Sequence, residues 1–208
     1  MTAFFLLKDT SFQTKGFAWA SGFGLLKTPM PFLHPAQLAR EIEFSKINPA
    51  PPGIRIDPGA STWPDFLGHG GGTPEFFVSD RVLDALHMEQ LPVTCATEMP
   101  MATINSKRLR DKPPPRYFVI ETEPGIEIDF AASGIPTDER GKPIMHPLPK
   151  PWPAILKLRA NSWNGKDLLS FSNFWGPPFT KLLCTERVVG LAERQGWTNC
   201  RFEPIETV

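Results

Sequence analysis

One stretch of this chain occurs twice, and each copy predicts a β-strand that turns directly into a helix. The first copy reads FFVSDRVL over residues 76–83, and the second reads LLCTERVV over residues 182–189. In both, three apolar residues lead into a hydroxyl residue, an acid, an arginine and a valine, and apolar residues then recur at helical spacing. Two explanations are open: duplication of one structural unit, or a favourable helix start that is used twice.

Each copy carries the residue types that begin a helix. Ser79 and Thr185 stand where an N-cap side chain accepts a hydrogen bond from a backbone N–H of the first turn. The acids that follow, Asp80 and Glu186, lie at the positive end of the helix dipole. Gly196 is the expected stop of the second helix. Replacing Thr185 by alanine is therefore expected to cost about 1 kcal/mol through the lost cap.

Arg81 and Arg187 come directly after these acids, at the end of the helix dipole that disfavours a positive charge. Such a guanidinium needs a carboxylate or a carbonyl nearby, and its planar fork is suited to bridge a helix start to a neighbouring loop. We therefore expect both arginines to serve the structure and not catalysis. Replacing Arg187 by alanine is expected to lower stability and to leave partner affinity per folded molecule nearly unchanged.

The bulk composition limits the class of protein. Lys plus Arg and Asp plus Glu each total 22 in 208 residues, so the formal net charge is zero. Because a nucleic-acid-binding domain is usually strongly basic, no nucleic-acid partner is predicted. No stretch has the length of a membrane span, and the N-terminus lacks the pattern of a signal peptide. We expect a cytoplasmic protein that does not bind a membrane.

Three isolated cysteines, Cys95, Cys184 and Cys200, lie in apolar, strand-like runs. They are typical of buried thiols in a reducing compartment and not of a disulfide framework. The four histidines, at positions 34, 69, 87 and 146, have no spacing that suits a metal. No metal and no cofactor are predicted.

Proline, with 24 residues, predicts many loops and a low helix content. Residues 117–121 and 126–130 predict the two strands of a hairpin. Residues 107–116 are basic and proline-rich, which indicates an exposed loop or linker. We expect an α+β fold: a mainly antiparallel sheet with a few short helices, long proline-rich loops and two similar strand-to-helix units. It forms a single domain over residues 1–208, or two halves at about 1–106 and 116–208.

Acidic and aromatic residues are the main candidates for partner binding. Glu121, Glu127 and Asp129 belong to the predicted hairpin, where they form either a solvated sheet face or an acidic docking surface for a basic partner. Tryptophans in loops pack in cores or dominate interfaces. The candidate partner-binding residues are Trp63, Asp65, His69, Glu121, Glu127, Asp129, Trp163, Asp167 and Trp175.

Several segments resemble a known group of proteins. They are residues 77–83, residues 163–168, and above all residues 182–188 with GWTNCRFEPI at 196–205. These segments resemble the myxobacterial double-CXXCG proteins and related immunity proteins of bacterial polymorphic toxin systems. The paired C-x-x-C-G motifs that name the group are absent here, so a zinc site of that kind is not shared. The resemblance implies a small cytoplasmic protein that binds and neutralises a toxin encoded beside it, and it carries over no catalytic residue.

Three functions are therefore considered. The leading hypothesis is a non-enzymatic immunity protein that covers the active site of a cognate protein toxin. The second is a hydrolase or transferase that uses His69 in the loop from Gly68 to Gly72, with Asp65 or Glu75 as the acid. Residues 69–72 of this loop resemble an esterase oxyanion loop. Against it, the chain has no G-x-S-x-G serine motif. The third is an adaptor whose proline segments 113–115 and 147–153 bind aromatic grooves. The oligomeric state is not predicted.

Overall fold

The computed structural model describes residues 2–9, 17–18, 20–24, 42–43, 46, 52–69, 76–144, 156–174 and 182–208. The strands in these residues are β1 (Phe4–Asp9), β2 (Ala20–Gly24), β3 (Gly53–Ile56), β4 (Phe66–Gly68), β5 (Phe76–Ser79), β6 (Cys95–Met99), β7 (Met101–Ile104), β8 (Tyr117–Glu121), β9 (Pro124–Ile126), β10 (Lys157–Leu158), β11 (Leu168–Phe171), β12 (Leu183–Thr185) and β13 (Cys200–Thr207). The helices are α1 (Asp80–Met88) and α2 (Glu186–Gln195), with a short 3-10 turn at Ala160–Ser162. No helix among the described residues is long and apolar enough to cross a membrane.

The strands form three sheets, and most of their pairings are antiparallel. One sheet has the order β4-β5-β8-β6, a second has the order β10-β13-β1-β12-β11-β9, and a small third has the order β2-β3-β7. The parallel pairs are β3 with β7, β9 with β11, and β10 with β13. The predicted α+β fold with mainly antiparallel sheets and short helices is confirmed.

The two larger sheets share one arrangement of four strands. The order β4-β5-β8-β6 corresponds to β11-β12-β1-β13, and every pairing within both sets is antiparallel. Tyr117 lies opposite Ser79 as Phe4 lies opposite Thr185. A constant step of 106 residues relates the two copies of strand, helix and following strand from residue 76 to residue 99. The repeat in the sequence is therefore also a repeat in space.

We call the β4-β5-β8-β6 sheet with α1 the first half, and the six-stranded sheet with α2 the second half. Neither half is built from residues 1–106 or 116–208 alone. Strand β8, which follows the loop at 107–116, lies inside the first half, and β1, from the start of the chain, lies inside the second. Each half therefore takes a central strand from the other end of the sequence.

The two halves share one hydrophobic core. Strands β5 and β12 each place one face in a common cluster, through Val78 and Cys184, and this cluster also holds the apolar faces of both helices. The opposite faces pack in separate clusters, around Phe77 in the first half and Leu183 in the second. Because alternate residues of a strand point to opposite faces, each of the two larger sheets is covered on both sides.

The predicted hairpin at residues 117–130 is wrong. Strand β8 pairs with β5 and β6, whereas β9 joins the other large sheet beside β11. The short link at 122–123 thus connects the two halves and does not fold one strand back on the other. The second predicted strand, residues 126–130, is also wrong in its bounds, because only Ile126 belongs to β9, which buries Gly125 and Ile126 in the second half.

Candidate functional site

The first of two matching polar clusters, the first clamp, joins the start of α1 to the end of α2. Ser79 Oγ donates a hydrogen bond to Asp65 Oδ1 at 3.1 Å, and Arg81 Nη1 donates to Asp65 Oδ2 at 2.8 Å. The Nη2 arm of Arg81 donates to the backbone carbonyl of Gln195, the last residue of α2. One guanidinium thus bridges a carboxylate of its own half to a helix end of the other half.

The second clamp repeats these contacts with the halves exchanged. Thr185 Oγ1 donates to Asp167 Oδ1 at 2.6 Å, and Arg187 Nη1 donates to Asp167 Oδ2 at 2.9 Å. Arg187 Nη2 donates at 2.6 Å to the carbonyl of Glu89, which caps the end of α1. Glu89 directly follows α1 and is the equivalent, by the step of 106 residues, of Gln195 at the end of α2. The two clamps therefore use equivalent residues.

The electrostatics explain why an arginine is stable at each helix start. The last carbonyls of a helix lack partners within the helix and carry its partial negative charge. Arg81 and Arg187 lie at the positive end of their own helices but reach the negative end of the neighbouring one. Each also pairs with an aspartate of the preceding loop. The prediction that both arginines bridge a helix start to neighbouring structure is confirmed.

The predicted capping role of Ser79 and Thr185 is wrong in its mechanism. Both residues stand at the N-cap, but neither side chain forms a capping hydrogen bond. Their hydroxyls donate to the aspartates instead, because a carboxylate that already binds an arginine is a strong acceptor close by. The backbone N–H groups of both residues donate to the carbonyls of the same aspartates, Asp65 and Asp167, at 2.9 Å.

Asp65 is the more embedded of the two aspartates. It is 7% exposed, and its Oδ2 also accepts hydrogen bonds from the backbone N and the Oγ1 of Thr198, at 2.9 and 3.0 Å. The side chain of Asn199 donates to the carbonyl of Phe66 at 2.5 Å. The first clamp therefore also holds the loop after α2. These roles of Thr198 and Asn199 were not predicted, since their sequence context shows only a turn.

The two predicted interface tryptophans that the structure describes take matching positions. Trp63 is half-buried, lies near the ring of Tyr117 at 6.4 Å between centroids, and donates Nε1–H to the carbonyl of Lys112. Trp163 packs edge-on against Phe4 at 5.4 Å and donates to the carbonyl of Lys166. Since Tyr117 and Phe4 are equivalent, each tryptophan covers the same site beside its clamp. Their role in partner binding stays a prediction.

Glu127 and Asp129 lie together, as predicted, on one side of the second half. Both accept from the guanidinium of Arg159, Glu127 at 3.0 Å and Asp129 at 3.2 Å. The pKa of Asp129 is lowered, chiefly by a hydrogen bond from the backbone N–H of Ala132. Because Arg159 offsets their charge, these two acids form a mixed-charge surface. Glu121 does not join them, since it lies in the first half.

Glu121 ends β8 opposite Cys95, with its carboxylate partly buried. Its Oε1 is buried without a hydrogen-bond partner among the described residues, and burial raises the pKa of the carboxyl. The equivalent position in the second half is Lys8, which forms an ion pair with Glu203 at 2.6 Å. The first half thus keeps an acid where the second half keeps a paired cation.

His69 ends the described segment at 52–69, and the glycines that follow it lie outside the described residues, as do Glu75, Trp175 and the proline segment 147–153. His69 is half-buried, with its ring 6.0 Å from that of Phe77. Asp65, the proposed acid of an enzyme, is already bound by Ser79, Arg81 and Thr198. Within the described part of the chain, no group of three His, Cys, Asp or Glu side chains is placed to hold a metal ion.

No protein-family model matches this chain, and none of the curated proteins matches it significantly.

The clamps predict unequal costs for removing the two aspartates. Asp65→Ala is expected to lower the free energy of unfolding by about 3 kcal/mol, because it leaves the buried hydroxyl of Ser79 and the Arg81 charge without their acceptor. Asp167→Ala is expected to cost about 1–2 kcal/mol, since Asp167 is more exposed and accepts fewer bonds. Urea denaturation of both variants measures this. Asp84→Ala, on the exposed face of α1, is the control and should change stability by less than about 0.5 kcal/mol. Equal costs for all three would contradict the role of the clamps.

Replacing Glu121 by glutamine is expected to stabilise the protein in a pH-dependent way. The pKa of Glu121 is raised in the folded state. Between the ordinary carboxyl pKa and this raised value, the folded protein binds more protons than the unfolded chain. The free energy of unfolding therefore falls as the pH rises through that interval. Glu121→Gln removes this loss. Its melting temperature should exceed that of the natural protein at pH 7 and should converge with it near pH 4. The exposed Glu139→Gln variant is the control; a difference for Glu121→Gln that does not depend on pH would refute this explanation.

Proposed function

We propose that this protein is a non-enzymatic immunity protein that binds a cognate bacterial toxin domain and neutralises it by covering its active site. The observation that carries the proposal is the resemblance of residues 77–83, 163–168, 182–188 and 196–205 to immunity proteins of polymorphic toxin systems. A cytoplasmic location and a protein toxin as partner belong to the same proposal.

The segments that carry the resemblance contain the residues of the two clamps. Residues 77–83 contain Ser79 and Arg81, residues 163–168 contain Asp167, and residues 182–188 contain Thr185 and Arg187. The residues that carry the resemblance are thus residues that join the two halves. We infer that the resemblance reflects a common scaffold, and that the toxin is bound by other residues on its surface.

A clamped scaffold suits inhibition by occlusion. A binding surface that is already fixed before association loses little conformational entropy when it binds, so more of the contact energy is available for affinity. Both helices pack in one core with both sheets, and each helix end is held by the other half. We infer that a toxin-binding surface on this body is likewise fixed before it binds.

The first test is co-expression with a toxin domain encoded next to this protein. Growth should be restored, and the two chains should co-purify. Failure of both would overturn the proposal.

The second test separates scaffold from binding surface with Arg187→Ala. Loss of the second clamp should lower the melting temperature by about 2–5 °C, taking about 1 kcal/mol for the lost contacts. Affinity of the folded variant for the toxin domain should change by less than about twofold. A thermal melt and a binding titration on the same sample measure both quantities. Lost binding with an unchanged melting temperature would place Arg187 in the interface and contradict its scaffold role.

A further inference from the structure

The turn at residues 106–112, here called the basic turn, is fixed to the first half at several points. Leu109 is fully buried in the cluster around Phe77, and Ser106 is fully buried and donates its hydroxyl to the carbonyl of Ala60. Backbone bonds from Leu109 N to Ser106 O and from Lys112 N to Leu109 O close the turn. The basic turn is therefore an anchored part of the surface.

A second set of contacts holds the far end of the basic turn. Lys112 Nζ donates to the carbonyl of Ser61 at 2.9 Å, and its own carbonyl accepts from Trp63 Nε1 at 3.3 Å. Trp63 in turn packs near Tyr117, a buried residue of β8. These contacts connect the turn to the centre of the first sheet.

The anchored backbone presents three cations to solvent. Lys107, Arg108 and Arg110 are exposed, and in the part of the chain that the structure describes none of their side chains forms an ion pair or a hydrogen bond. Most arginines elsewhere in the described residues form ion pairs with carboxylates. They are Arg81, Arg116, Arg159, Arg187, Arg194 and Arg201. The basic turn thus concentrates unpaired positive charge on a rigid support, in a chain whose net charge is zero.

We propose that the basic turn is a docking element for an acidic protein surface, and that on the toxin it contacts a patch of carboxylates. This inference rests on the proposed function for the identity of the partner. A guanidinium fork binds a carboxylate with two parallel hydrogen bonds, so Arg108 and Arg110 recognise geometry as well as charge. Unpaired rim charges of this kind raise the rate of association with an oppositely charged partner.

The size and composition of the patch favour a protein over a nucleic acid. Binding to duplex DNA at physiological salt typically uses about 6–10 phosphate contacts along a continuous basic surface. Here three free cations occupy one turn, and the acid Asp111 lies among them. The nearby Arg116 is already paired with Glu98. A small cluster of acidic side chains fits this patch, whereas a nucleic-acid duplex would lack most of its usual phosphate contacts here.

The experiment compares Arg108→Gln/Arg110→Gln with Arg140→Gln/Lys142→Gln. The second variant is a matched control, because Arg140 and Lys142 are also exposed cations on a tight turn, and removing them changes the net charge equally. Both variants should melt at the temperature of the natural protein. With the toxin domain, the basic-turn variant should associate about tenfold more slowly at low salt, with a weaker dependence on salt, whereas the control should match the natural protein.

A second arm uses poly-L-glutamate, so that it does not depend on the toxin. Amide shifts of the isotope-labelled protein at low salt should be concentrated at residues 106–112 and should disappear in the basic-turn variant. Equal shifts at residues 138–142, or tighter binding of a mixed-sequence DNA duplex than of poly-L-glutamate, would overturn the inference. Unchanged association of the basic-turn variant with the toxin would overturn it too. If the natural protein does not bind the toxin but the poly-L-glutamate result holds, the proposed function fails and the basic turn still binds an acidic protein.

Discussion

The contact on which this structure depends is an arginine at the start of one helix that binds the carbonyl at the end of the other. It occurs twice, from Arg81 to Gln195 and from Arg187 to Glu89. Each arginine lies at a position that its own helix dipole disfavours, and each is stabilised by the dipole of the other helix and by an aspartate. Because the dependence is mutual, neither half has a complete helix end without the other.

The repeat made part of this arrangement predictable from sequence. The strand-to-helix units, the helix stop at Gly196 and the need of both arginines for a carboxylate or a carbonyl follow from local patterns. The helix-end partners of the arginines cannot be predicted from local patterns. A backbone carbonyl carries no sequence signal, and Gln195 lies far along the chain from Arg81. The hairpin prediction failed for a related reason: the pattern at 117–121 shows a strand but not the sheet that it joins, and the alternation at 126–130 lies mostly outside any strand. The sequence also shows that the basic turn is rich in cations, but it does not show that Leu109 anchors the turn in the core.

The structure separates residues that hold the fold from residues that face solvent. Asp65, Asp167 and the two arginines hold the halves together, although the aspartates look from sequence like exposed loop acids. Trp63 and Trp163 pack beside the clamps on equivalent aromatic residues. The basic turn is attached to this framework through Ser106, Leu109 and Lys112, and its other cations face solvent without a partner among the described residues.

Hydrogen exchange of backbone amides in the natural protein and in Arg187→Ala tests the mutual dependence of the halves most directly. Arg187 belongs to α2, but its Nη2 holds the end of α1. If the halves depend on each other, exchange becomes faster at Glu89, Gln90 and Leu91, whose N–H groups close the end of α1, and also in the first turn of α2. Faster exchange confined to residues 182–190, with the end of α1 unchanged, would show that the halves are held independently and would contradict the account.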